Sequence, residues 1–400
     1  MDDSGKRVSF VELYLDLVFV LAVGQLARLV VEHPEMHSVW VALGLFVTLW
    51  WTWVGFTVLY SRHGDDESHQ RLLILAGSVP AGVAAVAIQP ASVGHSTVFA
   101  LSLAATRFVL AGAHAVDGGH RDLLRKRITR ACLISALLFV VSTMVPEPYR
   151  YILWAIAIVV ESREMLADDR AAASRARRER DLSAFAPADP ADALDAHHFS
   201  ERFGLFVIIL LGEVVVQAGE ASVDGHVATA AGWGALVAAM LLAAGLWWQY
   251  FDSAVRINLK VLELSGGSPT MAKAIFAVGH MLPSFALLIT AAGVGLLLGE
   301  DPPRIAYVLA CVGIGIYLGG TRVFMAAKGR AAHAVRIVVL VVTFQLARLR
   351  PDLSPHAYLW LLAAWVAMCA VLTTRGKDAS ADEDALARYT RRHERGTAPE

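Results

Sequence analysis

Glu213 and Gln217 stand one helical turn apart in a run, GLFVIILLGEVVVQAG (204–219), that is otherwise apolar. An ionised side chain on a membrane-spanning helix costs on the order of 3 kcal/mol or more unless it faces protein or water. An acid kept there has work to do with a proton, a cation or a partner helix. Asp16, Arg107 and His280 interrupt apolar runs in the same way, and Glu12 precedes Asp16 by one turn on the same helix face. At 1.5 Å per residue, Asp16 lies about 10 Å, His280 about 12 Å and Glu213 about 18 Å from the inner end of its run. Arg107 falls near the middle of its own. These depths predict a shared polar site at mid-membrane, with Asp16, Glu213, Arg107, His280 and Gln217 as candidates for binding substrate or a proton.

Each candidate also has a structural reading. Asp16 is open to an ion pair with Arg107, Glu213 to a neutral acid hydrogen-bonded across helices, and His280 to a satisfied interior histidine. Glu12 and Glu201 fall near helix starts, where a carboxylate stabilises the N-terminal dipole. Asp65 and Asp66, with His63, Glu67 and His69, form a polar loop that reads as solvated. Pro80 and Pro283 kink helices, and a kink frees carbonyls that can ligate an ion or substrate. His197, His198 and Glu201 have a metal-like spacing beside a flexible linker, which is too little to assign a metal. Water cannot solvate a carboxylate at the depth of Glu213, so that acid is expected to face the protein interior and hold a proton when no cation or substrate is bound. Because Arg107 lies at similar depth, one of Asp16 and Glu213 is expected to be ionised against it and the other protonated.

The elements that position these groups are membrane spans. The chain of 400 residues is 56% hydrophobic and 18% charged, with a mean hydropathy of +0.53, whereas soluble domains run near 45–50% apolar and about 25% charged. The composition predicts an all-α polytopic membrane protein with the lipid bilayer as its surroundings. Breaks rich in charge, proline or glycine mark twelve spans, at 9–31, 38–60, 70–89, 96–116, 128–145, 149–165, 201–220, 227–251, 272–298, 304–325, 333–348 and 356–374. The opening MDDSGKRV is too acidic and short for a signal peptide, so the first span is expected to remain as an anchor. With the N-terminus placed inside, 28 of the 35 lysines and arginines fall in inner segments and four in outer ones. That asymmetry predicts cytoplasmic N- and C-termini.

A weak repeat divides the spans. LWWTW (49–53) matches LWWQY (246–250), Gly77-Ser78-Val79-Pro80 matches Gly279-His280-Met281-Leu282-Pro283, Pro148-x-x-Tyr151 matches Pro355-x-x-Tyr358, and Glu12 matches Glu201. The order predicts two parallel six-helix halves, 1–165 and 199–375, joined by a cytoplasmic linker at 166–198 and followed by a charged tail at 376–400. Both Trp-rich pieces read as packing or an interfacial belt. Cys132, Cys311 and Cys369 fall in apolar spans without ligand spacing and read as small core residues. A net charge of −1 and the lack of a basic surface with interleaved aromatics argue against nucleic acid. No phosphate-binding loop, nucleophile elbow or His-Glu-x-x-His motif occurs, so no cofactor or metal is implied.

VELYLDLVFVLAVGQLA (11–27) resembles the opening motif of the bacterial low temperature requirement A (LtrA) proteins. HFSERFGLFVIILLGEVVV (198–216), LWWQYFD (246–252), the pair Asp65-Asp66 and Gly279-His280-x-x-Pro283 are similar to further motifs of that family. The resemblance spans about residues 8–350 and implies a multi-pass protein of a bacterial cell membrane without naming a substrate. Arg28 departs from the pattern, since a less basic residue is expected there.

Two functions fit these features. A secondary transporter or permease, with or without proton coupling, suits paired halves with carboxylates at mid-membrane. An integral-membrane enzyme or ligand sensor would use the same residues in a site opening inward, and no catalytic spacing identifies a reaction. Of the two, transport of a small solute or ion fits the repeat better.

Overall fold

The computed structural model describes residues 8–63, 68–116, 123–165, 183–187, 193–223, 229–320, 330–348 and 353–375. Among these residues the regular structure is all helical. The first group comprises α1 (Phe10–Glu32), α2 (Met36–His63), α3 (Ser68–Val86), the short α4 (Ile88–Ser92), α5 (Thr97–Val116), α6 (Leu123–Ser142) and α7 (Tyr149–Met165). The second comprises α8 (Ala196–Val223), α9 (Ala230–Gln249), α10 (Val255–Leu264), the short α11 (Pro269–Ala272), α12 (Met281–Leu298), α13 (Arg304–Gly320), α14 (Arg330–Leu346) and α15 (Pro355–Arg375). Seven helices among the described residues are long and apolar enough to cross a membrane, with shorter apolar helices between them. The chain is a multi-pass membrane protein. Asp65, Asp66 and the tail 376–400 lie outside the described residues, as does most of the linker 166–198.

Local sequence accounts for the helix that opens the fold. Ser9 caps α1: its hydroxyl accepts from the Glu12 amide at 3.4 Å, while the Glu12 carboxylate accepts from the Ser9 amide at 3.0 Å. This reciprocal box satisfies two donors that a helix start leaves without partners. Along α1, Leu13, Leu17 and Leu21 are exposed at four-residue spacing, and Glu12, Asp16, Phe19, Val23 and Leu26 are buried. The apolar stripe therefore faces lipid, and the face carrying the acids faces protein.

The second group departs from the expected spans in two places. α9 does not stop near 251 but passes through a π-helical turn, Tyr250–Ala254, into α10. A second π-turn, Lys273–Val278, leads from α11 to the start of α12. α12 is the central helix, with every residue from Pro283 to Gly295 buried. It lies tight against α13: a side chain at Gly293 would meet the Ala310 amide at 2.6 Å, and one at Gly313 would meet the Ala286 carbonyl at 2.6 Å. In lipid, such close backbone approach substitutes for the hydrophobic driving force that water supplies to soluble bundles.

α1 and α8 run in the same direction. Their contacts advance together, from Glu12 with His198, through Asp16 with Arg202, to Gly24 beside Glu213. The start of α8 is tied down by the Leu194 amide, which donates to the Gly267 carbonyl at 2.9 Å. Gly266 and Gly267 hold φ of 62° and 67°, a left-handed turn that favours glycine.

Candidate functional sites between the helices

At the first polar level, α1, α2 and α8 share a buried network. The Arg202 guanidinium donates to both Asp16 oxygens, at 2.5 and 2.8 Å, and its Nε lies 3.3 Å from Glu12 Oε1. Trp53 Nε1 donates to Asp16 Oδ1 at 2.8 Å, and the guanidinium rests over the Trp53 ring. His198 bridges Glu12 and Ser61, at 3.1 and 3.0 Å. All of these side chains are buried. The planar fork of Arg202 explains why an arginine serves here: it satisfies two acids at once, where an ammonium would meet each as a point charge.

This network corrects the expected partner of Asp16. Arg107 pairs with Glu161 on α7 instead, through Nε–Oε1 at 2.9 Å and Nη2–Oε2 at 3.3 Å, while its Nη1 donates to Thr52 at 2.5 Å. The ring of Phe139 covers it. Neither Asp16 nor Glu213 reaches Arg107, because α5 packs with α6 and α7 on the far side of α2. Arg202, counted from sequence among inner-loop charges, is fully buried within α8, which begins at Ala196 rather than 201. Glu161 was not singled out by the sequence reading, because it closes a helix beside basic linker residues and reads as a boundary charge; His198 was weighed only for a metal-like spacing with His197 and Glu201.

Glu213 lies about 16 Å along α8 from Arg202. It is 5% exposed and Gln217 is 6% exposed. Gln217 Nε2 donates to Glu213 Oε1 at 2.9 Å. A Cβ at Gly24 of α1 would come to 3.5 Å from Glu213 Oε2, and one at Gly295 of α12 to 3.0 Å from Gln217 Oε1. The two side chains thus occupy a seam of three helices whose facing positions are glycines. Among the described residues, no cation lies within ion-pair distance of Glu213.

His280 belongs to another cluster. Its Nδ1 lies 2.8 Å from the Ile275 carbonyl and its Nε2 lies 2.9 Å from the Tyr250 hydroxyl. A carbonyl only accepts, so Nδ1 carries the hydrogen and Nε2 accepts from Tyr250. The ring stacks on Phe276. Both π-turns meet at this histidine, and such turns recur at functional positions. Pro283 sits in the first turn of α12, where it displaces no hydrogen bond of the preceding helix. The carbonyls that the irregular segment frees are taken by side chains: Ile275 by His280, and Ala277 by Trp50 Nε1 at 2.7 Å.

The five principal candidates therefore do not share one cavity. Glu201 is exposed and joins none of these clusters. His197 turns towards Glu263, 3.2 Å away, while His198 turns inward, so the two do not converge on a metal. The Trp-rich pieces also part company. Trp50 and Trp53 are buried between the clusters, whereas Trp247 and Trp248 are 43% and 47% exposed on the outer surface. Between the Arg202 network and Glu213 stands a plug of Trp50, Trp53, Phe203 and Phe206 with ring centroids 4.4 to 5.8 Å apart.

The family model described as "Bacterial low temperature requirement A protein (LtrA)" matches residues 7–373. A curated relative, the uncharacterized protein RA0937 of Rhizobium meliloti (strain 1021), is 26% identical over 350 residues, covering 85% of this chain and 83% of its own. No solved structure matches the chain significantly.

Proposed function

The chain belongs to the bacterial low temperature requirement A family, and from that premise we propose that it is a proton-coupled secondary transporter of a small solute. Glu213 is the proton-binding group in this reading, with Gln217 fixing its orientation. The observation that carries it is the pattern of buried charge. Arg107 is matched by Glu161, Arg202 by Asp16, and Glu12 by His198 and the Arg202 Nε. Among the described residues Glu213 is left as a buried acid without a cation, at the meeting of α1, α8 and α12. A static scaffold gains nothing from an unmatched acid in a membrane interior. A group that takes up and releases a proton during each cycle requires one.

Twelve crossings in two parallel six-span halves complete the proposal, with both termini and the linker on the cytoplasmic face of the inner membrane. The distribution of lysine and arginine supports the orientation. The common direction of α1 and α8, the first helices of the two halves, is what an even number of crossings per half requires. The aromatic plug and the Arg202 network then close the cytoplasmic side of the Glu213 site, and opening that side requires α1 and α8 to part. Asp16, Glu213 and His280 do not converge on one point, so the enzyme reading gains no support. The test is reconstitution of the full chain in liposomes containing a pH dye, challenged with a panel of solutes. Solute-dependent proton movement in the parent that is lost in Glu213→Gln supports the proposal; movement unaffected by that substitution refutes the assignment of Glu213.

A further inference from the structure

The chemistry of the Glu213 site also bears on what it takes. Gln217 spends one amide hydrogen on Glu213 Oε1, so the polar valences left in the seam are Glu213 Oε2, Gln217 Oε1 and the second Gln217 N–H. Two of these are acceptors and one is a neutral donor. Gly24 and Gly295 bring backbone without side-chain donors to those same two oxygens. The buried guanidinium on the same helix, Arg202, is held by Asp16 and Glu12, and the other, Arg107, is held by Glu161 and Thr52. Among the described residues an anionic solute would find no cation in the seam, and a neutral polyol would find a single amide N–H for all of its oxygens. One uncompensated negative charge with two free acceptor oxygens suits a ligand bearing a single positive charge.

We infer that the solute exchanged at Glu213 is a monovalent cation, an alkali-metal ion or an ammonium compound, which displaces the proton one for one. This rests on the transport reading and narrows it. Charge balances at each step: the cation arrives as the carboxylic acid O–H bond breaks and the proton leaves, and the reverse returns a proton to the same oxygen. The exchange is electroneutral, so an imposed membrane potential leaves its rate unchanged while a pH gradient drives it. A turn beyond Gln217, Glu220 is exposed on the same face of α8, where an acid attracts cations to the seam.

Purified full-length protein provides the test in two arms. In detergent, sodium, potassium, choline and tetraethylammonium chlorides are each tested for thermal stabilisation of the parent and of Glu213→Gln, a near-isosteric change. In liposomes with an acidic interior and a trapped pH dye, the same cations are compared with glycerol, alanine and lactate. The expected result is stabilisation and proton release by at least one cation, both reduced in Glu213→Gln to the level of a buffer or empty-liposome control. Glu213→Asp, which keeps the charge and shortens the reach, retains exchange at a raised half-saturating concentration. Cation binding without exchange would leave the site as inferred and remove the transport reading. Proton movement driven by a neutral or anionic solute, with cations inert, would overturn the cation inference and leave transport standing. Silence in both arms would overturn both.

Discussion

Replacing Arg202 by glutamine should be among the most damaging single changes in the molecule, and the geometry gives its size. Two hydrogen bonds to Asp16 and the approach to Glu12 disappear together, and two buried acids lose their shared cation. Breaking a buried ion pair from one side typically costs about 3–5 kcal/mol, because the remaining charge stays behind without compensation. At about 1.4 kcal/mol per tenfold, that is roughly two to three and a half decades in the unfolding equilibrium. Asp16→Asn should cost less, about 1–3 kcal/mol: the amide oxygen still accepts from Trp53 and Arg202, and Arg202 keeps Glu12. The double variant should be more stable than the sum of the two single losses predicts, by about 0.5–3 kcal/mol, since the stranded charge is then partly removed. Unfolding in mixed micelles by titration with denaturing detergent, followed by tryptophan fluorescence, measures all three. If Arg202→Gln costs under about 1 kcal/mol, or if Asp16→Asn costs more than Arg202→Gln, the assignment of Arg202 as the shared cation of the two acids is wrong.

Three further outcomes are expected. Infrared difference spectra of the purified protein between about pH 5 and pH 9 should contain a protonated carboxyl band that Glu213→Gln removes; a parent lacking that band has no protonated buried acid. Glu161→Gln should destabilise by about 3–5 kcal/mol, because Arg107 is then left as an uncompensated charge in the interior with neutral partners alone, and a loss near zero would mean that the pair is solvated. A cysteine placed at Ser183 should resist an impermeant thiol reagent in intact cells and react after permeabilisation; labelling in intact cells would put the linker outside.

The all-helical membrane class and the acids within apolar helices were legible from sequence because hydropathy depends on residues close together in the chain. Partners were not, because an ion pair depends on which helices are neighbours. Arg107 and Glu213 were matched by depth alone, yet α2 stands between α5 and α8, and each arginine took the acid on an adjacent helix. The error over Arg202 has a different cause. A basic residue at the inner end of a span contributes to the positive-inside asymmetry whether it lies in a loop or one turn within the helix, and only the earlier start of α8, at Ala196, distinguishes the two. The π-turns were invisible for a similar reason: YFDSA and KAIFAV have ordinary helical composition, and the contacts made by the widened turns include two between residues distant in sequence, Trp50 with Ala277 and Tyr250 with His280.

The LWWTW piece was read as packing, and its position shows why burial alone understates it. Trp50 binds the Ala277 carbonyl beside the second π-turn, Thr52 accepts from Arg107, and Trp53 donates to Asp16. Three positions within one helical turn of α2 thus reach the second π-turn, α5 and α1. The LWWQY piece, matched to it by the repeat, keeps a polar contact of this kind at Tyr250 while turning two tryptophans outward. A pair of equivalent segments with one buried and one at the surface is not a symmetric belt. The turn at Trp50–Trp53 is where both buried ion pairs are tied to the irregular segment that precedes α12. The hydrogen bond from Trp50 to Ala277 joins α2 to that segment directly, so displacement of the segment changes the surroundings of Asp16 and Arg202 through a rigid, buried side chain.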